Sequence, residues 1–135
     1  MNPLIVKSTE YSPKVTFNPE ESKFEIAGES RPENAGKLYG IAMEWLKEYL
    51  SSDEAEKKTK SGAKGSQLLF EFNLMYFNTV SAKYILEILR LLHFSYSKGF
   101  DIKVQWHYKV KDEDMKESGE EFSRLVNIPF EFIQD

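Results

Sequence analysis

In the stretch "YFNTVSAKY", residues 76 to 84, the polar side chains of Asn78, Thr79 and Ser81 fall where strand-like alternation gives way to helical repetition. A side-chain oxygen at such a junction can close the free N–H groups of a helix's first turn, and either Asn78 or Thr79 suits the capping position. The same N–H groups and the helix dipole favour an anion, so a phosphate on the Thr79 hydroxyl would be held there rather than expelled. Phosphorylation brings about −1.5 to −2 charge to one surface point at pH 7. A partner covering that point would have to bury the charge, and a penalty of about 2.7 kcal/mol already lowers affinity about a hundredfold. A threonine that caps a helix can therefore double as a switch, with Ser81 as the second choice of acceptor. Its contact surface would comprise Asn78, Thr79, Val80 and Ser81 with the neighbouring Lys83.

Other chemistry is poorly supplied. The two histidines, His93 and His107, have no companions at metal-ligand spacing and no nucleophile pairs with either, so both read as structural or surface groups. The chain has no cysteine, which removes thiolate metal sites, disulfides and cysteine nucleophiles. "SGAKGS", residues 61 to 66, lacks the spacing and the strand-to-helix setting of a phosphate loop. "DEDMKESGEE", residues 112 to 121, departs from the calcium-loop template and reads as a helix start with an acidic face. No catalytic residue, cofactor or metal is expected.

The elements that must position the junction are legible from periodicity. Residues 14 to 18 and 23 to 28 alternate around the turn-like "PEES" and predict a hairpin. A helix follows with Leu38, Ile41, Ala42, Trp45, Leu46 and Tyr49 as its buried face. Residues 51 to 66 lack large apolar side chains and predict a solvated, mobile connection. A strand then places Leu68, Phe70, Phe72, Leu74 and Tyr76 on one face and Leu69, Glu71, Asn73, Met75 and Phe77 on the other. After the second helix, from about residue 80 to 97, another strand turns Ile102, Val104, Trp106, Tyr108 and Val110 inward. A third helix begins near Asp112 or Asp114, and "IPFEFIQ" gives a last strand. The order ββαβαβαβ predicts one α/β domain over residues 1–135: a mixed sheet of about five strands with helices mainly on one face.

Composition limits the partners. A chain of 135 residues with 41% hydrophobic and 14% aromatic residues can bury a core unaided. The net charge of −4, with no basic block, leaves no electrostatic footprint for nucleic acid. No apolar run is long enough to span a bilayer and no signal peptide opens the chain, so a cytoplasmic location is expected.

Taken in order and spacing, "SRPENAGKLYGIAMEWLKEYL", "FEFNLMYFNTVSAKYILEILRLL" and "VQWHY…DEDMKESGEEFSRLVNIPFEFI" resemble the SiaC family of bacterial biofilm-regulation phosphoproteins. The similarity runs from about Tyr11 to Phe132, apart from the polar connection. It implies a STAS-like fold, related to the anti-sigma factor antagonists, and a non-enzymatic switch that a protein kinase phosphorylates and a PP2C-type phosphatase resets. It further implies that the unphosphorylated form activates a diguanylate cyclase and so raises cyclic-di-GMP. The family's phosphoacceptor falls on Thr79, and its second motif falls on Pro32, Glu33 and Asn34; Arg31 to Asn34 read first as an N-terminal helix cap, with a direct partner-binding role for Glu33 and Asn34 as the second reading. Lys109 stands where many relatives carry an acid after the W-x-Y, and residues 51–66 are longer than expected; both bear on which partner is recognised. The rival reading is a small enzyme or ligand-binding domain with a pocket that the residues do not advertise.

Overall fold

Alternating apolar and polar residues give each strand one face that water disfavours and one that it tolerates. In the computed structural model, which describes residues 1–60, 62, 63 and 65–135, these strands join in one sheet of six. They are β1 (Leu4–Val6), β2 (Lys14–Asn18), β3 (Lys23–Ser30), β4 (Leu68–Phe77), β5 (Ile102–Tyr108) and β6 (Phe130–Gln134). The strands lie in chain order, with β1, β2 and β3 antiparallel and β3 to β6 parallel. Helices α1 (Ala35–Leu50), α3 (Thr79–Ser97) and α4 (Glu113–Leu125) connect the parallel strands, and α2 (Asp53–Thr59) follows α1.

The mixed α/β sheet with helices on one face is as the sequence predicts, with two elements more. The edge strand β1 brings the sheet to six strands rather than five. Within the expected mobile connection, Asp53–Thr59 is helical, capped by Ser52, whose side chain accepts from the Ala55 N–H at 3.1 Å. Ala55 and Thr59 are buried, so a small apolar residue suffices to anchor this short helix. Ser61 and Lys64 of "SGAKGS" lie outside the described residues.

The core lies between the helices and one face of the sheet. Val15, Phe17, Ile26, Phe70, Phe72, Val104 and Trp106 meet Tyr39, Leu46, Ile85 and Leu89, all fully buried. The other face is wet and charged: Lys14 pairs with Glu25 at 3.2 Å, and Lys23 with Glu71 at 2.9 Å. His107 stands between Glu71 and Asp135, 3.2 Å from each, while His93 accepts the Asn127 N–H at 3.2 Å. In α1 the buried face is set by Ala35, Tyr39, Ala42, Leu46 and Tyr49; Ile41, expected inside, is exposed.

A change of register re-aims the end of β4. Gly28 of β3 pairs with Leu74 but Glu29 pairs with Tyr76, so Met75 is the extra residue of a bulge. Beside it Gly28 adopts φ 104°, a conformation open to glycine. An extra residue inverts the alternation beyond it. Tyr76, expected inside, turns to solvent, and Phe77 turns in to pack on Trp106 and Phe122 at centroid distances of 6.3 and 6.0 Å. Val110, expected inside, lies beyond the end of β5 and is likewise exposed.

Candidate functional site

A helix that links two parallel strands must run back against them, so α1, α3 and α4 all begin at the carboxyl edge of the sheet. This edge is where α/β sheets place their sites. The chain leaves β4 at Phe77 and enters α3 at Thr79, with Asn78 as the cap: its side chain accepts from the Ser81 N–H at 2.9 Å. The Asn78 carbonyl takes the Ala82 N–H, also at 2.9 Å. Of the two candidate caps Asn78 is the one used, and Thr79, which the switch reading placed at the cap, is instead the first residue of the helix. Asparagine's amide oxygen completes the turn and leaves the threonine hydroxyl unused.

Thr79 is exposed, and its hydroxyl has no hydrogen-bond partner among the described residues. The backbone N–H groups of Thr79 and Val80 likewise have no acceptor there. No acidic residue lies in the first turn of α3 or of α1, so neither dipole is already neutralised. Lys83, exposed, stands one turn along the helix from Thr79, at the i+4 spacing that suits a charge pair.

Ser81 is the opposite case. It is fully buried and belongs to a chain of hydroxyls beneath the junction. Ser81 donates to the Ser30 carbonyl at 2.9 Å, and Ser30 donates to Ser81 Oγ at 2.8 Å. Each hydroxyl has one hydrogen, so Tyr39 must be the donor in its 2.5 Å bond to Ser30 Oγ. The direction is fixed throughout: Tyr39 to Ser30, Ser30 to Ser81, Ser81 to the Ser30 carbonyl. That carbonyl also receives the Asn78 N–H at 3.0 Å. Burial pushes the Tyr39 hydroxyl above the usual tyrosine range. The network ties the start of α3 to the end of β3 and to α1. Sealed in this way, Ser81 is not available as an acceptor, nor as a partner contact, contrary to expectation.

The second motif lies alongside. Asn34 caps α1 by accepting the Lys37 N–H at 3.1 Å, and Glu33 beside it is exposed. Tyr84 of α3 stacks on Tyr39 of α1 with centroids 5.5 Å apart and planes at 3°. A Cβ added to Gly36 would come within 3.0 Å of the Tyr84 hydroxyl. The first turns of α1 and α3 are thus neighbours, and Glu33, Asn34, Thr79, Val80 and Lys83 belong to one end of the molecule.

That end is also apolar, which the residue types alone do not reveal. Met75, Tyr76 and Val80 are 60%, 48% and 54% exposed around Thr79. Tyr11 is exposed nearby, carrying the Arg31 guanidinium 4.6 Å above its ring, and its carbonyl accepts the Arg31 N–H at 2.8 Å. The bulge produces this rim by turning Met75 and Tyr76 outward together. Among the described residues no group of three or more histidine, cysteine or acidic side chains could hold a metal ion. No helix among them is long and apolar enough to cross a membrane.

Comparison with known proteins agrees with this fold. The crystal structure of apo-SiaC from Pseudomonas aeruginosa is 26% identical, covers 98% of this chain and 99% of that chain, and superposes with a TM-score of 0.80. The crystal structure of the diguanylate cyclase SiaD in complex with its activator SiaC, from the same organism, matches at 26% identity over 98% and 99%, with a TM-score of 0.83. A protein of P. aeruginosa (strain UCBPP-PA14), described only as uncharacterized, is 27% identical over 130 residues, 96% of this chain and 94% of that one. The model of the SiaC family regulatory phosphoproteins matches residues 6–135. With almost the whole chain matched, the protein belongs to the SiaC family of regulatory phosphoproteins.

Proposed function

We propose that the chain is a non-enzymatic, phosphorylation-controlled interaction module. Its unmodified Thr79 face docks on a diguanylate cyclase and regulates it; a Ser/Thr protein kinase adds the phosphate and a PP2C-type phosphatase removes it, in the cytoplasm. The observation that carries this reading is the free Thr79 hydroxyl, exposed at the start of α3 within a rim of exposed apolar side chains. The solved complex of a related activator with its cyclase supports the choice of partner.

Met75, Tyr76 and Val80 give a partner apolar surface to cover, and Asn78, Glu33 and Asn34 give it polar rim contacts. Water leaves that surface on docking, which favours the complex while Thr79 is neutral. A phosphate on Thr79 finds the two unused N–H groups and Lys83 in the free molecule, so the modified domain stays folded. In the complex the same dianion would have to be stripped of water against apolar neighbours, and the partner is released.

Intact mass after incubation with the cognate kinase and ATP tests the acceptor. The chain gains one phosphate, Ser81→Ala gains one as well, and Thr79→Ala gains none. Undiminished phosphorylation of Thr79→Ala would overturn the assignment.

A further inference from the structure

At the far end of the helices, about 22 Å from Thr79 at about 1.5 Å per residue of α3, a cleft of about 640 Å³ opens between α1, α2 and the end of α3. Its size falls in the range of about 300–1,000 Å³ typical of ligand-binding sites. Among the described residues, the ammonium groups of Lys47, Lys60 and Lys98 line it. Glu56 is the one carboxylate among the described lining residues and is paired with Lys60 at 3.6 Å. Lys47 and Lys98 have no carboxylate partner among the described residues. The cleft is thus locally basic in a chain of net charge −4.

Dipole compensation accounts for part of this. Lys47 lies in the last turn of α1, and Lys60 and Lys98 are the residues at which α2 and α3 end. It does not account for the apolar lining. Phe94 is 58% exposed, Leu91 beside it on α3 is half-buried, and Phe100 closes the floor. The Lys98 ammonium sits 4.3 Å from the Phe94 ring centroid, and the Lys60 ammonium 5.0 Å from that of Phe100. The Lys98 cation is thus held directly over exposed apolar surface, and that of Lys60 over the buried Phe100 ring.

The geometry points to a second docking surface, one that takes an acidic segment of a partner protein with an apolar side chain as its anchor. The anchor packs on Phe94 and Leu91 while flanking carboxylates meet Lys47 and Lys98. The charge complement selects this occupant: a neutral apolar segment would leave the ammonium groups unanswered, and an acidic one without an anchor would leave Phe94 wet. A partner held here leaves the Thr79 end free, so one molecule can be engaged at both ends.

The test uses the full chain and a fluorescein-labelled peptide with four glutamates on each side of a Leu-Phe pair, read by fluorescence anisotropy in low salt. Saturable binding is expected. The double variant Lys47→Glu/Lys98→Glu and the single variant Phe94→Ser should each weaken it by about tenfold, equivalent to about 1.4 kcal/mol. Thr79→Glu should leave it unchanged, and about 0.15 M salt should weaken it through screening. Circular dichroism confirms that each variant is folded. The proposal is overturned if no saturable binding is seen, if a peptide with glutamines in place of glutamates binds equally well, or if the cleft variants bind as the parent does.

Discussion

Replacing Ser81 by alanine tests whether the hydroxyl chain beneath Thr79 holds the junction together. Two hydrogen bonds are lost, the one that Ser81 accepts from Ser30 and the one it donates to the Ser30 carbonyl. At about 1 kcal/mol net each, with the Ser30 hydrogen stranded in a site closed to water, the cost is about 2–3 kcal/mol. The Ser30 carbonyl keeps the Asn78 N–H, and alanine's better helix propensity returns about 0.5 kcal/mol, which leaves about 2 kcal/mol. With an unfolding entropy of about 2.1 cal/mol/K per residue, the 135 residues make that a fall in Tm of about 7 °C. Tyr39→Phe should cost only about half as much. Tyr39 stands at the donating end, so its loss strands no hydrogen and Ser30 still donates to Ser81. Urea unfolding at 25 °C, followed by circular dichroism, measures both. Equal costs for the two variants, or a cost below about 0.5 kcal/mol for Ser81→Ala, would refute the directed chain.

Two further predictions concern packing and pH. A Cβ on Gly119 of α4 would lie 2.4 Å from Cδ1 of the fully buried Trp106, whose indole N–H is held by the Met115 carbonyl at 2.9 Å. Gly119→Ala should therefore destabilise by about 1–3 kcal/mol despite a propensity gain of about 1 kcal/mol, with an altered Trp106 fluorescence spectrum; a more stable variant would contradict this. Burial, reinforced by the nearby Glu54 charge, pushes the Tyr49 hydroxyl up to about 12. A raised value in the folded state means stability that is complete below about pH 10, where the unfolded tyrosine titrates, and is lost as pH rises towards 12. At pH 11 the loss is about 1.4 kcal/mol. Tyr39 and Lys23 are also shifted upward and act in the same direction, so the readout is the smaller loss between pH 9 and 11 in Tyr49→Phe. An identical loss in both proteins would contradict the assignment.

What could be read from the residues, and what could not, follows from where the signals lie. The alternation in "KVTFN", "KFEIAG" and "IKVQWHY" marks three strands directly, because burial on one face fixes their register. The three-residue β1 and the seven-residue α2 are too short to repeat any pattern, and α2 is anchored by alanine and threonine, which carry little hydropathy signal. The Met75 bulge is hidden because Leu74, Met75, Tyr76 and Phe77 are all apolar, so either phase satisfies the alternation. Asparagine and threonine are both good caps, and only the observed bond from the Ser81 N–H to Asn78 decides between them. The location of the junction at a strand-to-helix turn was legible. The sealing of Ser81 was not, since its partners Ser30 and Tyr39 are remote in the chain.

Binding of the cognate diguanylate cyclase to the parent chain, to Thr79→Ala and to the chain phosphorylated on Thr79 tests the switch most directly, with calorimetry as the readout. The first two should bind alike, and the phosphorylated form at least about a hundredfold more weakly, a difference of about 2.7 kcal/mol. Equal affinity of the phosphorylated and unphosphorylated chains would contradict the account.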